Sequence, residues 1–252
     1  MMDIKEYYNR LFSKVESNKI SIFQYIENDE DHLFESAFNF YTDLETLYQV
    51  LGNRLESGIF KNAIRVYQES MLCAISGLYQ PAFMGLRYFL ERFMMGAYLS
   101  SSEIELRTWM SNERDTYWTE LVGVESNTQD TNNNNPNRGI FSSKFTKAFF
   151  PDLDGERIQM LAMTKRVYRE CSEYVHGNPL AIGGIPESLD YEEHILQEWL
   201  DKAETIKRCV LYVIFLRYAQ SFSNSDFEVV KDIFLDEFRS VKRIKQYIES
   251  HE

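Results

Sequence analysis

The sequence predicts an all-α protein: a bundle of four long helices, with extra helices at its N- and C-terminal ends. Three observations predict it. Apolar residues recur at three- and four-residue intervals along most of the 252 residues, and strict alternation is scarce. The chain is 44% hydrophobic and 15% aromatic, enough to build a sizeable core and too apolar for general disorder. The 5 prolines fall at or near the edges of the periodic runs, or in loops, where a missing backbone donor does no harm.

Taken in order, residues 3–16 read as a short amphipathic helix. A second helix runs from about Asp31 to Leu51, where Gly52 and Asn53 end it. The third covers about 58–79, with Ile59, Ala63, Val66, Ser70, Cys73 and Gly77 along one side. Pro81 starts the fourth, PAFMGLRYFLERFMMGAYLSS, since proline suits a first helical turn. This helix is apolar nearly all round, which implies burial on most sides. Ser100 to Ser102 end it, and Glu103–Ser111 form a short helix. From Gly123 to Gly139 the polar run VESNTQDTNNNNPNRG carries no periodicity and reads as a mobile loop, or as a segment that orders on a partner. A helix from Phe141 to Phe150 follows, broken by Pro151 and Gly155, and then one from about 155 to 176. The segment GNPLAIGGIPES is a loop. A long helix spans about 189–221 and a last one about 226–249. The four long helices near 58–79, 81–100, 155–176 and 189–221 pack as the bundle. The chain thus divides into an N-terminal helical extension (1–57), the bundle (58–221) and a C-terminal helix (222–252).

Charge and cysteines narrow the function. A net charge of −12 disfavours nonspecific coating of nucleic acid, which depends on neutralising phosphates, but leaves room for RNA in a locally basic groove. Cys73, Cys171 and Cys209 are widely spaced and odd in number, so they form neither a disulfide framework nor a zinc knuckle, and they read as buried free thiols. The N-terminus MMDIKEYYNRLFSK lacks a signal-peptide core, and no run reaches the ~18–20 uncharged residues of a membrane span. A cytoplasmic protein without a membrane partner is expected.

The stretch RECSEYVHGNP, Arg169 to Pro179, carries the candidate chemistry. Arg169 and His176 are seven positions apart, which on a helix returns to within about 20° of the same face, about 10 Å along the axis. On the wheel an apolar stripe of Ile158, Leu161, Tyr168, Cys171 and Val175 is flanked by a ridge of Lys165, Arg169, Ser172 and His176, with the pair about 60–80° from the centre of the stripe. Gly177 caps the helix and Pro179 stops it. Histidine as a residue type exchanges a proton near neutrality, and arginine holds a phosphate at two points. Together they are sufficient in kind for RNA cleavage without metal, through attack of a 2′-hydroxyl on the adjacent phosphate.

At this motif the chain resembles the HEPN superfamily, all-helical domains whose catalytic members carry Arg-x4–6-His near a helix end. The stretch SGLYQPAFMGLRYFLERFMMGAYLS, Ser76–Ser100, adds a G-x-Y-x-x-A turn leading into an L-R-x-x-L-E helix that several bacterial HEPN-like families share. The resemblance covers about Gly58 to Ser221. It implies a metal-independent endoribonuclease, usually a homodimer with two motifs facing each other, in a toxin–antitoxin, abortive-infection or other antiviral defence system. It implies Arg169 and His176 as the catalytic pair, and an antitoxin or a larger defence-complex protein as partner. Glu170 stands where the family often has Asn, Asp or His.

Lys165, Ser172, Tyr174 and Asn178 join the pair as candidate substrate-binding residues, with Arg87 and Glu91 from the buried helix. Each has a plainer alternative. His176 can be a helix-end cap and Arg169 can pair with Glu173 one turn on. Ser172 and Tyr174 can satisfy backbone or fill the core, and Arg87 and Glu91 can simply pair with each other. No H-E-x-x-H or Cys/His cluster marks a metal, no phosphate-binding glycine loop or G-x-S-x-G elbow is present, and no cofactor is expected. The basic residues Arg138, Lys144, Lys147, Arg157, Lys165, Arg166 and Arg169 mark a candidate RNA-contact stretch. A non-catalytic interaction module, docking a partner through its aromatic-rich ends, and a nucleotide-binding sensor on the same ridge are the alternatives.

Overall fold

Every long apolar run of the sequence becomes a helix. The structure is a computed structural model that describes residues 3–123 and 138–251. Among these it contains no strand and twelve α-helices: α1 (Ile4–Glu27), α2 (Leu33–Leu51), α3 (Ser57–Ile75), α4 (Tyr79–Leu99), α5 (Glu103–Met110), α6 (Trp118–Val122), α7 (Ser143–Phe149), α8 (Arg157–Val175), α9 (Pro179–Ile182), α10 (Glu193–Tyr218), α11 (Asn224–Phe238) and α12 (Lys242–Glu249). The expected all-α bundle is the observed one: α3, α4, α8 and α10 are its long helices.

Helix α4 lies at the centre, packed on α3, α8 and α10. Its Phe83, Leu86, Phe89, Leu90, Phe93 and Met94 are buried, and the run Cys209–Leu216 of α10 is buried all round. Such side chains contribute about 1.5–3 kcal/mol each when covered, so α4 and this run of α10 both add to the stability of the core. Two features bring α3 and α4 together as an antiparallel hairpin. Gly77, at φ +76°, ends α3: the Leu78 amide donates to the Cys73 carbonyl (2.9 Å) and the Gly77 amide to that of Ala74 (3.2 Å). Gly85 and Gly96 then leave no gap: a Cβ there would lie 2.7 Å from Cβ of Ser70 and 2.6 Å from the ring of Phe60.

The outer helices share this core. Helix α2 packs on α3 and α10, and α11 packs on α2 and α10. Four local expectations are corrected. Helix α1 does not stop at residue 16 but runs to Glu27, because Asn18 is buried there with its amide donating to the carbonyls of Ser76 (3.0 Å) and Leu189 (2.9 Å). The last helix is two, α11 and α12, with a turn closed by the Val241 amide on the Phe238 carbonyl (2.9 Å). That turn folds Tyr247 onto Phe150, Phe215 and Phe227 (4.9, 5.6 and 5.6 Å). The short helix α9 lies inside the segment expected as loop, and α6 was not expected. Of the expected mobile loop at 123–139, residues 124–137 lie outside the described residues. Its two ends stand side by side, with the Ile140 amide donating to the Leu121 carbonyl (2.9 Å).

Among the described residues, no helix is long and apolar enough to cross a membrane. All three cysteines are free thiols. Cys171 and Cys209 are buried, and burial pushes both up to about 12. Cys73, expected to be buried, is only half-buried.

Candidate functional site

Helix α8 carries two polar sets, and burial separates them. Its covered side is Met160, Leu161, Thr164, Val167, Cys171, Ser172 and Tyr174. Ile158, expected in the apolar stripe, is 42% exposed, so the true stripe is centred near Cys171. Measured from Cys171, Arg169 and His176 lie about 140–160° round the helix, further toward solvent than the sequence wheel suggests. Both are exposed. Among the described residues neither side chain has a hydrogen bond or an ion pair, and Arg169 does not pair with Glu173. Lys165, on the same ridge, is half-buried.

Glu170, the acid next to Arg169, points another way. It sits about 100° from Arg169 on the wheel and forms ion pairs with Lys202 of α10 (3.6 Å) and Arg166 (3.9 Å). Lys202 in turn holds Glu198 at 2.9 Å. Glu170, Glu173, Glu198, Lys202 and His194 line a groove of about 370 Å³ between α8, α9 and α10. Its acid is therefore engaged away from the Arg169 flank.

The second set faces α4. The Arg87 guanidinium lies over the ring of Tyr168 (4.7 Å) and donates to its hydroxyl. Its Nε donates to Ser172 Oγ (3.0 Å), and Glu91 pairs with it at 3.4 Å. Ser172 Oγ also donates to the Tyr168 carbonyl (2.7 Å), and Trp118 of α6 stacks on Tyr168 (3.8 Å). Burial raises the Tyr168 phenol above its ordinary range; Glu91 adds to this and Arg87 opposes it. Arg87 and Glu91 thus pair with each other, and Arg87 also meets Ser172 and Tyr168 of α8 rather than Arg169 or His176. Sequence reasoning placed Tyr168 in the apolar stripe and missed its polar role. The signal was there in the spacing, since Tyr168/Ser172 and Arg87/Glu91 are both i,i+4 pairs.

Tyr174 and Asn178 are occupied by structure. The Tyr174 ring is buried and stacks on Phe83 (3.8 Å, 11° between planes), and burial raises its hydroxyl. Gln80 of α4 donates to its carbonyl (3.0 Å), which satisfies a group the helix end leaves free. Gly177 at φ +65° turns the chain, and the Asn178 amide reaches back to the Glu173 carbonyl (2.9 Å). Asn178 Oδ1 then accepts from the Leu180 amide (3.1 Å) and caps α9. His176 is the C-cap of α8, with its ring free of that framework.

The basic stretch is not all available. Arg157 is held by Asp154 (2.8 Å) and the Phe141 carbonyl (3.3 Å), whereas Arg138, Lys144, Lys147, Arg166 and Arg169 are exposed. No group of three or more His, Cys, Asp or Glu among the described residues is placed to hold a metal ion. Compared with known proteins, the chain matches no family model, no curated protein and no solved structure.

Proposed function

We propose that this chain is a HEPN-like, metal-independent endoribonuclease of a bacterial defence or toxin–antitoxin system, acting in the cytoplasm as a homodimer. The observation that carries this reading is the exposed Arg169–His176 flank of α8, unpartnered among the described residues, with Glu170 held off by Lys202. The 2′-hydroxyl of RNA gives its proton to the His176 imidazole and attacks the adjacent phosphorus. The bond to the 5′-oxygen breaks, leaving a 2′,3′-cyclic phosphate and a 5′-hydroxyl that takes up a proton. Arg169 neutralises the charge that builds on the non-bridging oxygens, and Lys165 adds a second cation beside it. Arg87, through Ser172 and Tyr168, is a positioning residue that fixes α8 against α4. A flank this open in one chain does not exclude water, which is why a second copy belongs to the reading. The test is to induce the chain and its His176→Ala and Arg169→Ala variants in a bacterial host and follow growth and RNA integrity. Arrested growth and RNA cut by the parent alone are expected; equal toxicity or equal cleavage by either variant overturns the assignment.

A second reading is a non-catalytic interaction module, docking an antitoxin or a larger defence component. One observation favours it: α1 exposes Ile4, Tyr7, Tyr8, Phe12, Ile20 and Phe23, each by half or more. A complex with a partner whose activity survives loss of both Arg169 and His176 is its signature.

A further inference from the structure

We infer that α1 is a dimerisation helix, and that its occupant is α1 of a second copy, running antiparallel about a two-fold axis between Val15 and Glu16. This does not rest on the ribonuclease reading, because helix pairing and RNA cutting can each hold without the other.

One face of α1 is already used. Ile22 is buried, Asn18 reaches Ser76 and Leu189, Tyr25 bonds Gln197, and Lys14 pairs with Asp190. These contacts fix the helix on the body. About 80° round from that face runs a second apolar ribbon, Ile4, Tyr8, Phe12, Val15, Phe23 and Ile26, at helical spacing. Its members are 69%, 51%, 68%, 36%, 54% and 40% exposed. Lys19 is the one polar residue in the series.

The ribbon reads the same in both directions to within one residue. Turned about the point between Val15 and Glu16, Tyr8 comes opposite Phe23 and Phe12 opposite Lys19, while Ile4 comes one residue from Ile26 and Val15 one residue from itself. A two-fold interface requires such self-complementarity, residue i meeting j and j meeting i. Phe12 and Lys19 then form a cation–π pair twice over. Lys5 comes within one residue of Glu27 at each end, and Glu16, at the axis, is already held by Lys19 of its own chain (3.4 Å).

Charge and area point to the same occupant. Helix α1 has four basic residues (Lys5, Arg10, Lys14, Lys19) against three acidic (Glu6, Glu16, Glu27), in a chain of net charge −12. Helix α1 thus carries no net negative charge, so pairing there does not add to the repulsion between two acidic chains. Aromatic side chains bury about 150–250 Å² each, so three of them at half exposure with three aliphatics offer on the order of 600 Å² per copy. That gives about 1,200 Å² in all, at the lower end of stable interfaces, so association in the micromolar range is expected.

Sedimentation velocity of the full chain at tens of micromolar tests it. The parent should be a dimer, and the Phe12→Glu/Phe23→Glu variant a monomer with unchanged helical circular dichroism. Under mild oxidation Val15→Cys should give a disulfide-linked dimer that the parent does not give. Tyr8→Cys should cross-link only when mixed with Phe23→Cys. A monomeric parent overturns the proposal, including one that instead binds anionic phospholipid vesicles or another protein through this helix. So does a dimer that survives the double substitution. If the double variant loses helicity, the cross-link decides, and failure of Val15→Cys to link overturns the proposal.

Discussion

Arg169 and Arg87 lie on opposite sides of one question, since both belong to polar groups of α8 but only one is tied down. Arg169 and His176 are exposed and make no side-chain bond among the described residues, so Arg169→Ala and His176→Ala should change stability by no more than about 0.5 kcal/mol. Arg87 is 24% exposed and holds Glu91, Ser172 and Tyr168 together. Arg87→Met leaves Glu91 without its partner and should cost about 1–3 kcal/mol. Urea midpoints check both expectations; a large loss in Arg169→Ala would mean that it is structural. The sequence showed the i,i+4 spacing of Arg87 and Glu91, and the glycine that ends α8. It did not show where the wheel of α8 is centred, because that depends on which residues the neighbours cover. Ile158 sits in the first turn, where its neighbours leave it 42% exposed, and Tyr174 finds Phe83 only in three dimensions.

Between helices, the tightest contact is α3 on α4, and it sets two competing effects. Replacing a helix-interior glycine with alanine ordinarily gains up to about 1 kcal/mol of helix propensity. At Gly85 the new methyl would meet Ser70, whose hydroxyl donates to the Ala82 carbonyl (2.6 Å) and accepts from Trp199 Nε1 (3.2 Å). Ser70 has nowhere to move, so overpacking wins and Gly85→Ala should destabilise by about 1–3 kcal/mol. A thermal melt that rises instead would show that the helices can part. Between α2, α10 and α11, Asp43 is pushed up to about 6 by burial, with Asp236 adding and Lys207 opposing. A carboxyl raised above its unfolded value holds its proton longer in the folded state. Stability is therefore lost as pH rises from about 4 through about 6 and stays lost above that. Asp43→Asn removes the cost and should gain about 1 kcal/mol at pH 7.5, after allowance for solvent screening, with little gain near pH 4. Equal stability of the two chains at pH 7.5 would refute it. Element existence was readable from apolar period alone; element ends were not. The first helix runs past residue 16 because Asn18 finds two carbonyl partners far along the chain, which local sequence does not show.

For the whole molecule, the all-α class and the four long helices follow from composition and period, because a helix apolar all round, such as α4, has to lie at a centre. The acidic balance gives two opposite salt responses. Pairing through α1 should strengthen between low and physiological salt, as repulsion between two chains of −12 is screened. RNA binding at Lys165, Arg169 and their exposed basic neighbours should weaken over the same range. Salt therefore separates the two surfaces without any mutation. What composition could not give is the placement of charge: Glu170 looks like a neighbour that weakens Arg169 until Lys202 is seen to hold it. The most direct measurement of the central claim is cleavage of single-stranded RNA by the purified chain in excess chelator, with product ends read by mass spectrometry. The account predicts 2′,3′-cyclic phosphate ends from the parent and intact RNA with Arg169→Ala and with His176→Ala. Uncut RNA with the parent, or the same ends from either variant, would contradict it.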